Sequence, residues 1–307
     1  MEDRSSNVSV ADQASGPVPH LSVVIRSRNE EKGLRQVFEA LQAQRCTFPW
    51  EVVVVDNESE DGTRALCNEF NVRVVRIGRN EFTYGRASNL GISNARGTLV
   101  LLLSAHSLPV GSYFLESAVS PFCDPAIAAV RCLRSDAEHI KNWYRPIDIQ
   151  YQSEDDQKRA ESGLDWTRNY PAANGCVIRR SVWEQVKYDE EIESGEDKLW
   201  ASKVLSLGFK IRCCAEAIYI YTRKRRKIDE WKRHNMDYKA LYRFSGYVPL
   251  PWSQFLLRTL RAILVAPLVA GRHVLETLIW NFCLVTIPWQ AKRNHRAGSL
   301  REFDRHN

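Results

Sequence analysis

Thr-Leu-Val-Leu-Leu-Leu-Ser-Ala-His-Ser-Leu-Pro, residues 98–109, is the stretch that decides the fold of this chain. Its apolar run, 99–103, ends at the triplet Ser104-Ala105-His106. An apolar run of this length predicts a strand buried on both faces, as strands of a parallel sheet are. Open α/β sheets bind ligands at the carboxyl ends of their strands, so the triplet lies where a ligand is expected. His106 is therefore either a ligand-facing group or a histidine that merely ends a strand.

Strands and helices alternate on both sides of this stretch. Short apolar runs predict the strands, and apolar residues at i, i+3, i+4 and i+7 predict the helices between them. Strands are predicted at 21–25, 51–56, 72–77, 99–103, 127–133 and 174–178, with a final strand pair in 211–221, and helices at 30–44, from 61, at 85–95, 111–119 and 180–186, and from 195. This alternation predicts an α/β fold with a mostly parallel, doubly wound sheet.

The chain is predicted to consist of three parts. Residues 1–19 are rich in Ser, Asp, Gly and Pro and are predicted to be disordered. Residues 20–221 form the α/β domain, in which 134–170 is predicted to be a long loop with short helices. Residues 222–307 form a basic, helical C-terminal extension. A chain of 307 residues is long enough for one large domain with such an appendage.

The positive charge is concentrated in the last third of the chain. Residues 1–200 contain 23 Lys and Arg against 30 Asp and Glu, a net charge of −7, and residues 201–307 contain 20 against 7, a net charge of +13. Two uncharged apolar segments there, 262–271 and 277–291, are shorter than the roughly 18–20 residues that span a bilayer. With tryptophan and arginine at their edges, they predict helices that lie in a membrane interface. A helical pair that caps the core or forms a dimer interface is the alternative.

The N-terminus and the cysteines predict a cytoplasmic location. The N-terminal residues lack the apolar core of a secretory signal peptide. The eight cysteines include no Cys-x-x-Cys pair, and most lie in apolar stretches, which is typical of buried, reduced thiols. We therefore expect a protein that is peripheral on the inner face of the cell membrane.

Polar side chains follow three of the predicted strands at the point where each ends. They are Arg26, Asn29 and Glu30 after the first strand, Asp56, Asn57 and Glu58 after the second, and Ser104 and His106 after the fourth. In a parallel sheet all of them face one crevice. Asp56 can accept a hydrogen bond from a nucleotide base, and Arg26 or Arg86 can meet phosphate charge. Each residue alone is explained as a helix cap or a surface ion pair, but the set predicts a nucleotide site.

Five segments, in order along residues 20–221, carry a resemblance to a known family. They are Val-Val-Ile-Arg-Ser-Arg-Asn-Glu (23–30), Val-Val-Val-Asp-Asn-Glu-Ser-Glu-Asp-Gly-Thr (53–63), Gly-Arg-Ala-Ser-Asn-Leu-Gly-Ile (85–92), Asn-Gly-Cys-Val-Ile-Arg-Arg-Ser-Val-Trp (174–183) and Gly-Glu-Asp-Lys-Leu-Trp (195–200). They resemble the family-2 glycosyltransferases, which have the GT-A fold. Their spacing is similar to that of bacterial rhamnosyltransferase-like enzymes of surface polysaccharide synthesis. The resemblance implies a nucleotide-sugar donor, with Asp56 and Arg26 at the nucleotide base and Arg86 near the diphosphate.

A carboxylate is required as the base of an inverting sugar transfer. It takes the proton from the acceptor hydroxyl as that hydroxyl attacks the sugar. Asp197 is the candidate, and the adjacent Glu196 is the alternative. Two acids at the start of a helix are also explained by the helix dipole, which would keep such a base ionised.

The triplet at residues 104–106 leaves the metal in question. The resemblance implies a divalent cation, Mn²⁺ or Mg²⁺, held by carboxylates at this point, but the triplet contains none. Tyr221 stands where the family often has a histidine after the last strand. His106 therefore either hydrogen-bonds the diphosphate directly, or ligates a metal, or is inert in an inactive protein.

Three functions are consistent with these features. The first is a membrane-associated inverting glycosyltransferase that acts on a saccharide or lipid-linked saccharide acceptor. The second is a catalytically inactive GT-A-fold protein that binds or scaffolds a polysaccharide assembly. The third, nucleic-acid binding through the basic residues 223–233, is disfavoured because this run lacks an organised aromatic platform.

Overall fold

The computed structural model describes residues 18–135 and 172–223, which form an eight-stranded mixed sheet with helices on both faces. The strands are β1 (Leu21–Ser27), β2 (Trp50–Asp56), β3 (Arg73–Arg76), β4 (Leu99–Ser104), β5 (Ser107–Pro109), β6 (Ile127–Ser135), β7 (Gly175–Arg179) and β8 (Lys210–Tyr221). Their order across the sheet is β3-β2-β1-β4-β7-β6-β8-β5.

The first half of the sheet is parallel, as predicted. β1 pairs in parallel with β2 and β4, and β2 pairs in parallel with β3. In this register Ser27 lies opposite Asp56, and Arg26 lies opposite Ser104. The carboxyl ends of β1, β2 and β4 therefore meet at one edge, called the carboxyl edge below.

The second half is mixed, because β7 runs antiparallel to both β4 and β6, and β5 runs antiparallel to β8. β8 pairs with β6 in parallel. The predicted final strand pair in 211–221 is wrong, since β8 is one continuous strand. Its register against β6 jumps between Cys214 and Ile218, so a bulge absorbs the break that the sequence pattern indicated.

Six helices and one 3-10 turn connect the strands within the described residues. The helices are α1 (Glu31–Gln42), α2 (Thr63–Glu69), α3 (Tyr84–Ser93), α4 (Phe114–Val119), α5 (Arg180–Gln185) and α6 (Glu196–Ser206), and the 3-10 turn is Ser120–Cys123. Most of the predicted elements are confirmed within a few residues. β5 was not predicted, because three residues that include a proline have no strand pattern of their own.

Two apolar layers enclose the sheet and explain why its central strands are apolar throughout. Leu101 and Leu103 of β4 pack with α1, α2 and α4, and Val100 and Leu102 pack with α3, α5 and α6. The cysteines of the described residues are free thiols, and burial raises the pKa of the Cys132 and Cys176 thiols well above the usual range.

The chain divides into two compact units. One contains residues 1–192 and 196–223, and the other contains residues 193–195 and 224–307. The predicted N-terminal disorder up to residue 17, the 136–170 part of the predicted loop and the C-terminal extension from 224 onward lie outside the described residues. No helix in 18–135 or 172–223 is long and apolar enough to cross a membrane.

Candidate active site

The loops that follow β1 and β2 are joined to each other by hydrogen bonds. The Asn29 backbone N–H donates to Ser59 Oγ at 2.9 Å, and the Glu60 N–H donates to Asn29 Oδ1 at 2.7 Å. Asn29 and Glu58 have left-handed backbone conformations, with φ of 53° and 50°, which turn the two loops tightly at the strand ends. Asn29 therefore shapes the carboxyl edge, and its side-chain oxygen is already engaged.

Asp56 ends β2 in a buried polar pocket at this edge. Its carboxylate is 1% exposed and accepts from the Ser59 N–H at 3.3 Å, with Arg64 Nε 4.0 Å away. Two buried neighbours, Ser27 Oγ and Asn57 Oδ1, have no hydrogen-bond partner within the described residues. Buried polar atoms normally have partners, so both atoms are candidates for contact with a bound group, Ser27 Oγ as donor or acceptor and Asn57 Oδ1 as acceptor.

Glu58 and Arg86, two of the predicted site residues, form ion pairs with other protein groups. Glu58 Oε2 lies 3.4 Å from Arg79 Nε, and Arg86 Nε lies 3.2 Å from Glu190 Oε2. Arg28 was not predicted as a site residue. It is exposed beside Ser27 and has no ion-pair or hydrogen-bond partner among the described residues, so it is the more accessible cation at this edge.

The triplet after β4 forms a tight turn in which His106 meets Glu30. His106 Nε2 lies 2.9 Å from Glu30 Oε1, and both side chains are largely buried. Ser104 Oγ lies 3.0 Å from Ser107 Oγ and accepts from the His106 N–H at 3.3 Å. Ser104 therefore closes the turn, and the His106 imidazole and the Glu30 carboxylate form a hydrogen-bonded pair beside it.

Tyr221 and Arg134 continue the row that Glu30 and His106 begin. The Tyr221 ring meets the His106 ring edge to face, with centroids 6.1 Å apart, and the Arg134 guanidinium lies 4.2 Å from the Tyr221 centroid. A cation over an aromatic face is attracted to it, which holds Arg134 at this edge. Neither contact was predicted, because Arg134 and Tyr221 are 87 positions apart in the sequence.

Gly33 allows helix α1 to approach the β4–β5 turn. A Cβ at this position would lie 2.6 Å from the Ala105 carbonyl oxygen, which is closer than real contacts allow. The absence of a side chain at Gly33 therefore sets how closely Glu30, which immediately precedes α1, can approach His106.

His106 and Glu30 fit two positions around a divalent cation. No three His, Cys, Asp or Glu side chains are grouped to hold a metal within 18–135 and 172–223. The two atoms of the pair are 2.9 Å apart, and neighbouring ligands in an octahedron with bonds of about 2.1 Å lie about 3 Å apart. The remaining ligands would have to come from substrate phosphates and water, which is how Mg²⁺ often binds.

Arg26 points away from the Asp56 pocket and into the protein. Its NH1 group donates to the Tyr84 carbonyl at 3.1 Å, to Ser88 Oγ at 3.0 Å and to Glu196 Oε1 at 3.2 Å. Its NH2 group donates to the Ala173 carbonyl at 3.2 Å. Its side chain is 14% exposed and that of Glu196 is 2% exposed. Arg26 was predicted to lie at the nucleotide base. In the structure its guanidinium instead donates these four hydrogen bonds to protein groups.

Asp197 begins α6 beside this cluster and is only half-buried. Its Oδ2 accepts from the Ala173 N–H at 3.2 Å, and its Oδ1 accepts from the Lys198 N–H at 2.8 Å. Of the two adjacent acids, Asp197 is the more exposed to solvent, since Glu196 is buried.

The sequence matches the model of glycosyl transferase family 2 over residues 22–187, more than half of the chain. The chain belongs to this family. The resemblance on which the site residues were assigned is thereby confirmed. The matched region ends before Glu196, so the candidate base lies outside it.

This glycosyltransferase is similar to curated proteins of O-antigen synthesis. The O-antigen chain rhamnosyltransferase RfbN of Salmonella typhimurium is 25% identical over 221 residues, which cover 70% of each chain. The O-antigen chain rhamnosyltransferase WbaN of Salmonella anatum is 27% identical over 220 residues, 68% of this chain and 64% of its own. This agrees with the expected similarity to rhamnosyltransferase-like enzymes.

Solved structures share the fold at low sequence identity. The mannosyltransferase PcManGT from Pyrobaculum calidifontis, in complex with GDP-Man and Mn²⁺, has a TM-score of 0.55 at 17% identity and covers 94% of this chain and 81% of its own. Glucosyl-3-phosphoglycerate synthase from Mycobacterium tuberculosis, in complex with Mn²⁺, UDP-glucose and phosphoglyceric acid, has a TM-score of 0.52 at 16% identity and covers 74% and 80%. The mixed α/β sheet is thus of the GT-A type.

Proposed function

We propose that this glycosyltransferase transfers a sugar, with inversion, from a nucleotide-sugar donor to a hydroxyl of a saccharide or lipid-linked saccharide in surface polysaccharide synthesis. The observation that carries the proposal is the pairing of two sites at one edge of the sheet. The first is the buried Asp56 carboxylate with the neighbouring Ser27 and Asn57 oxygens, which no group in the described part of the chain pairs. The second is the accessible Asp197 carboxylate at the start of α6.

The nucleotide base is assigned to the Asp56 pocket. Asp56 accepts a base N–H, and Asn57 and Ser27 offer further polar atoms that have no partner within residues 18–135 and 172–223. The nucleotide-sugar complexes of PcManGT and of glucosyl-3-phosphoglycerate synthase support a donor of this class.

The donor diphosphate is assigned to the row formed by Glu30, His106, Tyr221 and Arg134. Arg28, which is exposed after β1, is a further cation at the carboxyl edge. His106 and Arg134 bring hydrogen-bond donors to the leaving group, and Arg134 brings positive charge. If a divalent cation such as Mn²⁺ binds, His106 and Glu30 would hold it. It would add Lewis-acid stabilisation of the leaving diphosphate.

Asp197 is assigned as the catalytic base. Its carboxylate takes the proton of the acceptor hydroxyl while the hydroxyl oxygen bonds to the anomeric carbon of the sugar. The bond between that carbon and the diphosphate oxygen breaks, and its electron pair leaves with the nucleoside diphosphate. Attack from the opposite face inverts the configuration at this carbon.

The relatives support the proposed acceptor, and the charge of the last third of the chain supports the proposed location. The two Salmonella rhamnosyltransferases are named for the O-antigen chain, which supports a saccharide acceptor. The net charge of +13 in residues 201–307 supports attraction to an anionic membrane surface. In a liposome-binding assay, we expect the protein to bind anionic liposomes and not neutral ones, and we expect high salt to abolish this binding.

The test is turnover of nucleotide sugars by the whole chain and by Asp197→Asn. We expect the variant to lose transfer by at least about 10²-fold, because general-base catalysis contributes about 10²–10⁴-fold, while nucleoside diphosphate affinity stays within about twofold. Asp124→Asn is the matched control, since Asp124 pairs with Lys210 at the start of β6 and β8 and should transfer normally.

Unchanged turnover in Asp197→Asn would contradict the assignment of the base. If the folded wild-type chain turns over no nucleotide sugar with any metal, the transferase proposal fails. The inactive binding or scaffold protein, which the carboxylate-free triplet allows, then becomes the better description.

A further inference from the structure

We propose that Arg26 and Glu196 form a buried ion pair that positions Asp197, and that neither residue contacts the nucleotide or takes the acceptor proton. This inference rests on the proposed function, because it takes Asp197 as the base. It differs from the roles that the family resemblance implies for Arg26 and allows for Glu196.

The Arg26 guanidinium is surrounded by acceptors from three separate parts of the chain. Helix α3 contributes the Tyr84 carbonyl and Ser88 Oγ. The segment before β7 contributes the Ala173 carbonyl, and the first residue of α6 contributes Glu196 Oε1. The Tyr84 ring lies 5.2 Å from the guanidinium carbon and covers it further. A planar fork with several donors is suited to join such groups, and an ammonium is not.

Glu196 is too enclosed to reach an acceptor sugar. Its side chain is 2% exposed, and Oε1 lies 3.2 Å from Arg26 NH1. A carboxylate in an ion pair with this burial is held by its partner, and removal of that partner leaves an uncompensated buried charge. Glu196 therefore secures the first turn of α6 to β1.

Ala173 connects this pair to the base. Arg26 NH2 donates to its carbonyl oxygen, and its N–H donates to Asp197 Oδ2. Arg26 thus holds Asp197 by two routes, one through the Ala173 peptide groups and one through Glu196, its neighbour in the sequence. A shift of the guanidinium moves both attachments of the carboxylate that must meet the acceptor hydroxyl.

The first test is Arg26→Lys, which keeps the positive charge but not the planar fork. We expect kcat to fall about tenfold to 10²-fold, since a misplacement of about 1 Å can cost 10²-fold, while the Kd of the nucleoside diphosphate stays within about twofold. The exchange rate of the Ala173 amide hydrogen, measured without substrate, should rise at least about tenfold. The matched control is Arg179→Lys, because Arg179 also bonds backbone carbonyls but at the opposite edge of the sheet.

A double variant tests the same proposal if Arg26→Lys does not fold. In the double variant Arg26→Met, Glu196→Met, both buried charges are removed together, which proteins often tolerate. We expect it to fold, to bind nucleoside diphosphate normally and to lose kcat by about 10²-fold. In Glu196→Gln, which retains a hydrogen-bonding side chain, a smaller loss than in Asp197→Asn is expected.

The opposite results are distinguishable. Nucleotide affinity that falls in proportion to activity in Arg26→Lys would assign Arg26 to the donor. A loss in Glu196→Gln equal to that in Asp197→Asn, in folded protein, would make Glu196 the base. Amide exchange at Ala173 that does not change in Arg26→Lys would overturn the positioning role, and this measurement does not depend on whether the wild-type chain transfers sugar.

Discussion

At the scale of single residues, His106 distinguishes two ways in which this protein can hold a diphosphate. His106→Ala removes one hydrogen bond to a charged group, worth about 1.5 kcal/mol, so donor affinity should fall about tenfold. Titration of the nucleoside diphosphate with and without Mn²⁺ measures it. An equal loss in both titrations supports direct contact with the diphosphate.

If His106 instead ligates a metal, the two titrations give a different result. In that case Mn²⁺ strengthens binding to the wild type and has no effect on His106→Ala. His20→Ala is the control, because His20 lies before β1 at the opposite edge of the sheet and packs against Phe48. A loss of affinity in this control would show that the effect of His106→Ala is not local.

The sequence predicted where the site residues lie better than it predicted their contacts. Asp56, Glu30 and His106 lie at the carboxyl edge because strand ends can be read from the apolar pattern. The partner of Arg26 could not be read in this way, since Glu196 is 170 positions away. The buried, unpartnered oxygens of Ser27 and Asn57 also have no signal beyond their position next to predicted strand ends.

At the scale of elements, Asp61 joins the beginnings of two helices. Its Oδ1 accepts from the Thr63 N–H at the start of α2, and its Oδ2 accepts from the Glu31 N–H at the start of α1. Asp61→Ala should lower the free energy of unfolding by about 1 kcal/mol, because two N–H groups at helix starts lose their acceptor, an effect comparable to the loss of a helix cap. Urea denaturation of both proteins measures the difference. Glu60→Ala, which removes only an exposed ion pair with Arg79, should change it by less than about 0.5 kcal/mol.

The pH dependence of this difference provides a second check. Desolvation disfavours the ionised carboxylate of Asp61, but the hydrogen bonds from Thr63 and Glu31 together outweigh it and hold the pKa below the ordinary value. A lowered pKa in the folded state stabilises the protein above the ordinary aspartate pKa, and this contribution is lost as pH falls through the folded value. The gap between wild type and Asp61→Ala should therefore narrow in acid. A gap that widens there would contradict the capping role.

Elements that rest on long-range pairing were the ones that the sequence could not predict. β5 exists because Ser107 and Pro109 pair with Tyr221 and Tyr219 of β8, more than a hundred positions away. The helices and the central strands carry their own periodicity, so their positions were predictable.

At the scale of the whole molecule, the two edges of the sheet have different tasks. At the amino edge, Glu51 is 1% exposed and lies 2.9 Å from Arg73 NH2 and 3.1 Å from Arg96 Nε. It also accepts from Ser22 Oγ at 2.7 Å, so it joins three strands and the loop before β4. This network holds the sheet together on the side away from the proposed chemistry.

Glu51→Ala should therefore affect stability and not the activity of the folded molecules. Losing hydrogen bonds to charged groups costs about 1.5–3 kcal/mol, and the partial exposure of both arginines favours the lower end. Thermal denaturation and kcat per folded molecule are the measurements. Glu69→Ala, which removes a surface pair with Arg35, should cost less than about 1 kcal/mol. A Glu51→Ala protein of normal stability would refute the network's role.

The Arg26–Glu196 contact has a consequence for recombination between related genes. A crossover anywhere between the two codons combines one parent's first strand with the other parent's sixth helix. If only one parent encodes the pair, the hybrid buries a charge with no counterpart, at a cost of about 3–5 kcal/mol. Chimeras built to exchange donor specificity should therefore inherit both residues from one parent, and shuffled libraries selected for folding should show them retained or lost together.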